Sequence, residues 1–211
     1  IKNFFKGRND FYGINGEMVK ERIRKINLDK ESYGFSYSNF GFAVLGLVLE
    51  SVYGESWKTL AEDFLLNELG LENTHVSVGK GELGHAWQWR EDDAYLSAGA
   101  VTSNIRDMLK YAGYYLEEDE LFKECQEGVK TINASSSAYR TMGINMDQIG
   151  LSWIIDKENG LIWHNGGTGH YNSYIGFSKE NNTAVVILSN LAPNYRIPAT
   201  VLGLKLLMEL I

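Results

Sequence analysis

The hydrophobic period changes once along this chain, and that change limits the fold more than any other feature. Up to about residue 116, apolar residues recur at three- and four-residue spacing, the period of helices packed on one face. From residue 149 they fall into short runs rich in Val, Ile, Phe, Tyr and Trp, separated by turn residues. Helices first, then strands, then one last apolar helix is an α+β order, with an antiparallel meander in the second part.

The elements follow from that pattern. Met18, Val19, Ile23 and Ile26 predict an amphipathic helix over 16–26, capped by Asn15. A polar-aromatic stretch, 32–39, feeds an apolar helix over 40–53 that Gly54 ends as a left-handed cap. Ser56 opens a helix to Leu69, stopped by Gly70, so the two helices form an αα-hairpin. Residues 72–90 read as turns with a β-hairpin, and Ser97-Ala98-Gly99-Ala100 as a small-residue turn. Ser103 or Asn104 caps a helix to Leu116 whose expected apolar face is Ile105, Met108, Leu109, Ala112 and Leu116. Residues 117–148 are acidic and Ser-rich, with no clear period. Strands are expected over 149–155, 161–165, 173–177 and 183–188. Val185-Val186-Ile187-Leu188 has no alternation, so that strand should be covered on both faces. Pro198 opens the closing helix. The pattern divides the chain into a mainly helical lobe, 1–148, and an antiparallel sheet with its C-terminal helix, 149–211.

Composition narrows the function classes. With 44% hydrophobic and 22% charged residues among 211, the chain can bury enough apolar surface to fold. Its net charge of −7 argues against a nucleic-acid partner, which would require a basic face. No apolar run reaches membrane-spanning length. Cys125 is the only cysteine, so no internal disulfide can form, and nothing beside it in sequence would activate a thiol. The chain opens on Ile1 in mid-pattern with no secretory signal, which reads as a processed or truncated product.

Two polar constellations interrupt the apolar patterns. In an extended Tyr37-Ser38-Asn39, the phenol and the carboxamide can point to one side. The same residues would also serve as a plain helix cap. A Tyr with an ordinary pKa becomes a base only beside a cation. The second constellation is His164-Asn165-Gly166-Gly167-Thr168-Gly169-His170, at the end of one strand and the start of the next. Its glycines allow close approach to a ligand, and their N–H groups suit a developing negative charge. A flexible hairpin loop is the alternative. It is no phosphate loop, because no GxxxxGK[ST] follows. Two histidines with no HExxH or cysteine cluster make no metal site, and none is expected.

In this order the two features resemble the serine β-lactamase and penicillin-binding protein superfamily, in its class C β-lactamase, D,D-carboxypeptidase and esterase branch. Tyr37-Ser38-Asn39 matches the Tyr-x-Asn motif, followed by the expected helix from Phe40. Leu69-Gly70-Leu71-Glu72-Asn73-Thr74, Ser97-Ala98-Gly99-Ala100-Val101-Thr102-Ser103 and Asp107-Met108 are similar to later family segments. His164-Asn165-Gly166 matches the Lys/His-x-Gly strand, and 185–190 the closing strand. The resemblance runs from Ser32 to near the end.

It implies a β-lactamase/transpeptidase-like fold and acyl transfer through a serine ester on a β-lactam, D-amino-acid peptide or ester, without a cofactor. Tyr37 would exchange the proton, Asn39 would hold the lysine partner and a substrate amide, and His164 would take the place of the usual Lys. Gly167 N–H would be an oxyanion donor, with Asn165, Gly166 and Thr168 along the substrate. Relatives of this kind often act outside the cytoplasm.

One departure is large. The nucleophile motif Ser-x-x-Lys is expected before Tyr-x-Asn, and no such motif precedes Tyr37. Ser77-Val78-Gly79-Lys80 lies on the wrong side and is a poor helix start. The expectation is therefore a C-terminal part lacking its first strands and nucleophile helix, inactive alone, with a companion N-terminal segment or an oligomeric state to cover its exposed edge. The alternatives are a non-catalytic module binding peptide or cell-wall ligands, and a structural piece that joins another chain by strand addition.

Overall fold

A computed structural model describes residues 8–29, 33–79, 83–117, 120–192 and 198–211. Packing divides the chain into two units, Ile1–Ser103 and Asn104–Ile211. This boundary differs from the compositional change at 148/149 because the helix that follows residue 104 packs on the sheet of the second unit.

In the first unit, α1 (Gly16–Arg24) is capped by Asn15, whose side chain accepts from the Met18 N–H at 3.1 Å. Only Val19 is buried along it, while Met18, Ile23 and Ile26 stay exposed, so the expected apolar stripe is narrower than its spacing suggests. Helix α2 (Asn39–Tyr53) begins at the N-cap Ser38, whose hydroxyl accepts from Gly41 N–H at 3.0 Å. It ends at Gly54, φ 74°, a left-handed position that costs glycine little. Ser56 caps α3 (Trp57–Asp63), and a single π turn, Phe64–Glu68, carries the chain to Gly70. Strand β1 (His75–Val76) pairs antiparallel with β2 (Val101–Thr102), and the one-turn α4 (Leu96–Gly99) lies between them where a turn was expected.

The small residues of α4 let two elements meet closely. The Ser97 hydroxyl donates to Phe42 C=O in the first turn of α2 at 2.8 Å. A Cβ on Gly46 would lie 2.6 Å from that same oxygen, which leaves no room for a larger residue. Val19, Ala43, Val76, Trp89, Tyr95, Leu96 and Ala100 make the core around this crossing.

The second unit opens with α5 (Ile105–Leu116), capped by Asn104 through a 2.9 Å bond from Asp107 N–H. Short α6 (Glu120–Lys123), β3 (Lys130–Thr131) and α7 (Ser137–Thr141) lead into the sheet. The strand expected over 149–155 is two: β4 (Gln148–Ile149) and β5 (Ile154–Asp156). They fold back antiparallel around Gly150 and around Ser152, whose φ is 75°. Then come β6 (Leu161–Gly167), β7 (Asn172–Ser178) and β8 (Thr183–Ser189), in the plain order β3-β4-β5-β6-β7-β8. Helix α8 (Ala199–Leu210) closes the unit.

Both faces of the sheet are covered. Trp163, Tyr174, Leu204 and Leu207 share one core with α8. On the other face, Phe177 stacks on Tyr115 of α5 with ring centroids 5.1 Å apart, and Trp153 meets both rings. Each such side chain contributes about 1.5–3 kcal/mol of burial. Helices α5 and α8 both pack on β8, but the cover expected from its unbroken apolar run is partial: the strand is half-buried and Leu188 is 41% exposed. The apolar face of α5 is turned in part: Ala112 is buried and Met108 and Leu116 half-buried as expected, but Ile105 and Leu109 are exposed and Tyr115 is buried instead. The aromatic cluster of Tyr111, Tyr115 and Phe122 sets the face.

Candidate functional site

Tyr37 and Asn39 belong to the first unit and His164, Asn165, Gly166, Gly167 and Thr168 to the second. Each group is set by its own element.

The Tyr37-Ser38-Asn39 stretch is an extended approach to α2. Its middle residue is committed to the helix: Ser38 has φ −148°, ψ 103°, and its hydroxyl is the cap. Asn39 is already the first helical residue, so the strand alternation expected for Tyr37 and Asn39 does not extend to it. Tyr37 is 60% exposed, and Asn39 is half-buried. The capping function and the motif thus use different residues of the same triplet. The Ser97 bond to Phe42 C=O fixes the turn that follows. Sequence reading gave Ser97 no role beyond its place in the small-residue run 97–100, and Gly46 none beyond its place in the apolar helix.

His164 to Gly167 form the C-terminal half of β6. Strand β5 pairs with β6 only through Leu161, Ile162 and Trp163, whereas β7 pairs with it all the way from Ile162 to Gly167. Among the described residues, the segment from Asn165 to Gly167 therefore has a strand neighbour on one side only. Such an overhang offers backbone groups to an extended ligand. Asn165, Gly166 and Gly167 are exposed. Gly166 faces Ser173 across the pair, and a Cβ there would lie 2.7 Å from the Ser173 hydroxyl. The loop beyond is tied by two bonds: Thr168 N–H donates to Tyr171 C=O at 2.8 Å, and Tyr171 N–H to the Thr168 hydroxyl at 3.2 Å. Thr168 thus holds the turn, and the loop is less pliable than its glycines suggest.

His164 pairs with Ile175 on the α5 side of the sheet. Burial lowers its pKa from the ordinary 6.5, against a smaller opposing effect of a hydrogen bond with the Asn165 backbone. At neutral pH it is an uncharged imidazole, suited to accept or pass a proton. Ser77, the other serine considered, lies after β1 in extended chain, is 8% exposed and donates its N–H to Ala100 C=O at 2.8 Å. Lys80 of that tetrapeptide lies outside the described residues, as does Ser32. Among the described residues, no group of three His, Cys, Asp or Glu could hold a metal ion, and no helix is long and apolar enough to cross a membrane.

An α+β sheet of this order, with a Tyr-x-Asn helix start and a His-x-Gly strand end, is the β-lactamase/transpeptidase-like arrangement. The Beta-lactamase family profile matches residues 11–206, and the chain belongs to that family. Protein flp of Staphylococcus aureus (strain MW2) is 23% identical over 177 residues, 76% of this chain but 34% of flp. Solved structures share the fold. A β-lactamase/D-alanine carboxypeptidase from Yersinia pestis superposes with a TM-score of 0.77 at 17% identity, over 96% of this chain and 63% of that one. An octameric penicillin-binding protein homologue from Pyrococcus abyssi gives 0.68 at 21%, over 92% and 47%. D-amino acid amidase from Ochrobactrum anthropi gives 0.67 at 16%, over 97% and 65%. The chain thus spans about a third of its curated relative and half to two thirds of these structures.

Proposed function

We propose that this chain supplies most of the acyl-transfer site of a β-lactamase-related serine hydrolase, and that the attacking serine comes from residues outside this stretch. The observation that carries the reading is the end of β6, where His164, Asn165, Gly166 and Gly167 run past the end of β5 and expose a strand edge. In the proposal Tyr37 and Asn39 of the first unit and the β6 end of the second each supply groups to the reaction. Tyr37 takes the serine proton and returns it to the leaving group. Neutral His164 shares that proton, and Asn39 holds a substrate amide. Gly167 N–H stabilises the oxyanion. Asn165, Gly166 and Thr168 border the acyl side chain. The substrate is a D-amino-acid amide or peptide, a β-lactam or an ester, a class supported by the carboxypeptidase and amidase among the structural neighbours.

An external serine is supported by two features. Ser77 is in extended chain and not at a helix start. Helix α2 also exposes Leu45, Val48 and Val52, at 50, 49 and 70%, a stripe apolar enough to be covered by more protein. A companion N-terminal segment is the occupant proposed for it, and the isolated stretch is then inactive.

The test is hydrolysis of a D-alanyl amide, an activated ester and a chromogenic β-lactam by the full-length protein. Tyr37→Phe should lower kcat by about 10²–10⁴ with KM little changed, the usual worth of a general base. A Tyr37→Phe enzyme with parental kcat would overturn the assignment, and binding without turnover in the parent would favour the non-catalytic module.

A further inference from the structure

Independently of the acyl-transfer reading, the α8 side of the sheet carries an unusual set of buried polar groups. Tyr174 is 1% exposed, and its phenol oxygen has no hydrogen-bond partner among the described residues. Trp163, 3% exposed, has its indole nitrogen in the same condition, and the two rings stack with centroids 6.2 Å apart. The Tyr174 ring lies between Gly176 and Gly203, against which it packs so closely that neither position would admit a Cβ. Its hydroxyl is carried along β7 over Gly176.

Asp156 is on this same face. Ile154 pairs with Trp163 in the α8 core, and Asp156 is two residues further along β5. It is 0% exposed, and among the described residues its side-chain donors are the neutral Asn145 and Asn159. Oδ1 accepts from Asn159 N–H at 3.0 Å and from Asn145 Nδ2 at 3.4 Å, and Oδ2 accepts from Asn159 Nδ2 at 2.7 Å. A carboxylate has about four acceptor positions. Among the described residues one remains, on Oδ2. A buried donor with no acceptor among the described residues and a buried carboxylate with a spare position lie on one face of the sheet.

We propose that a single buried water occupies this place, accepting the Tyr174 O–H and donating to Oδ2 of Asp156. Burying a hydroxyl without a partner is unfavourable, and water is the small polar ligand that is both donor and acceptor. Trp163 N–H is the second donor offered to it. The water then joins β5 to β7 beneath α8 and belongs to the folded core.

The experiment is a crystal structure of the full-length protein at a resolution that shows ordered solvent, with urea unfolding of the parent and of Tyr174→Phe. The expected result is a water peak within hydrogen-bond distance of both Tyr174 Oη and Asp156 Oδ2. In Tyr174→Phe the unfolding constant should rise about tenfold, the worth of a hydrogen bond linked to a charged group. No peak at the phenol, or a direct Tyr174–Asp156 bond, would overturn the proposal. So would a Tyr174→Phe protein as stable as the parent. The crystallographic arm uses the parent alone and stands even where the variant does not fold.

Discussion

A methyl group at position 46 has nowhere to go. Gly46 faces the Ser97 hydroxyl at the crossing of α2 and α4, and the added Cβ would also sit 3.0 Å from Ser97 Cβ. Gly46→Ala should therefore destabilise the protein by about 1–3 kcal/mol, the usual range for overpacking, despite the better helix propensity of Ala. Urea midpoints measure it, and a rise in stability would refute the close crossing. His164 gives a second residue-scale test. Its folded pKa lies below the unfolded 6.5, so the unfolded chain binds the proton more readily. The resulting stability is present above pH 6.5 and is lost as pH falls below it. His164→Gln should flatten that acid slope in pH-dependent unfolding; an unchanged slope contradicts a buried neutral imidazole. Tyr37, Asn39 and His164 stand out in the sequence because each breaks an apolar pattern, and their roles belong to the proposal. Ser97 was not, because a hydroxyl bonded to a carbonyl 55 positions away has no local signature.

Elements were legible where their ends carry chemistry. Ser38 and Gly54 bound α2, and Asn104 starts α5, because caps are local interactions. The face of α5 was legible only in part. Helical spacing offers several apolar stripes on a helix with so many large residues, and tertiary packing chose the one containing Ala112 and Tyr115. Tyr115→Ala should cost about 3–5 kcal/mol, since it removes the ring that touches Phe122, Trp153 and Phe177. Leu109→Lys on the exposed side should stay within about 0.5 kcal/mol of the parent. Comparable losses at both positions would mean that the helix is seated differently. The break between β4 and β5 was hidden for another reason. Gly150 N–H and Trp153 C=O close the turn at 2.8 Å, and the left-handed residue inside it is Ser152, a type that gives no turn signal as clear as Asn-Gly.

At the scale of the molecule, the chain has an α+β fold and belongs to the Beta-lactamase family, and the proposed catalysis requires a serine outside this stretch. The helix-to-strand order was enough to expect an α+β fold, since each part must cover its own apolar face. The division into units was harder to read. Composition changes at 148/149, but packing assigns α5 to the sheet, and only the burial of its aromatic face records that. The most direct measurement of the central claim is covalent labelling of the full-length protein with a fluorophosphonate, followed by peptide mass mapping, beside the 211-residue chain treated alike. The account predicts one adduct, on a serine outside these residues, lost when Tyr37 is replaced by Phe, and no adduct on the isolated chain. An adduct on Ser77 or on any other serine of this stretch, or none on the full-length protein, would contradict it.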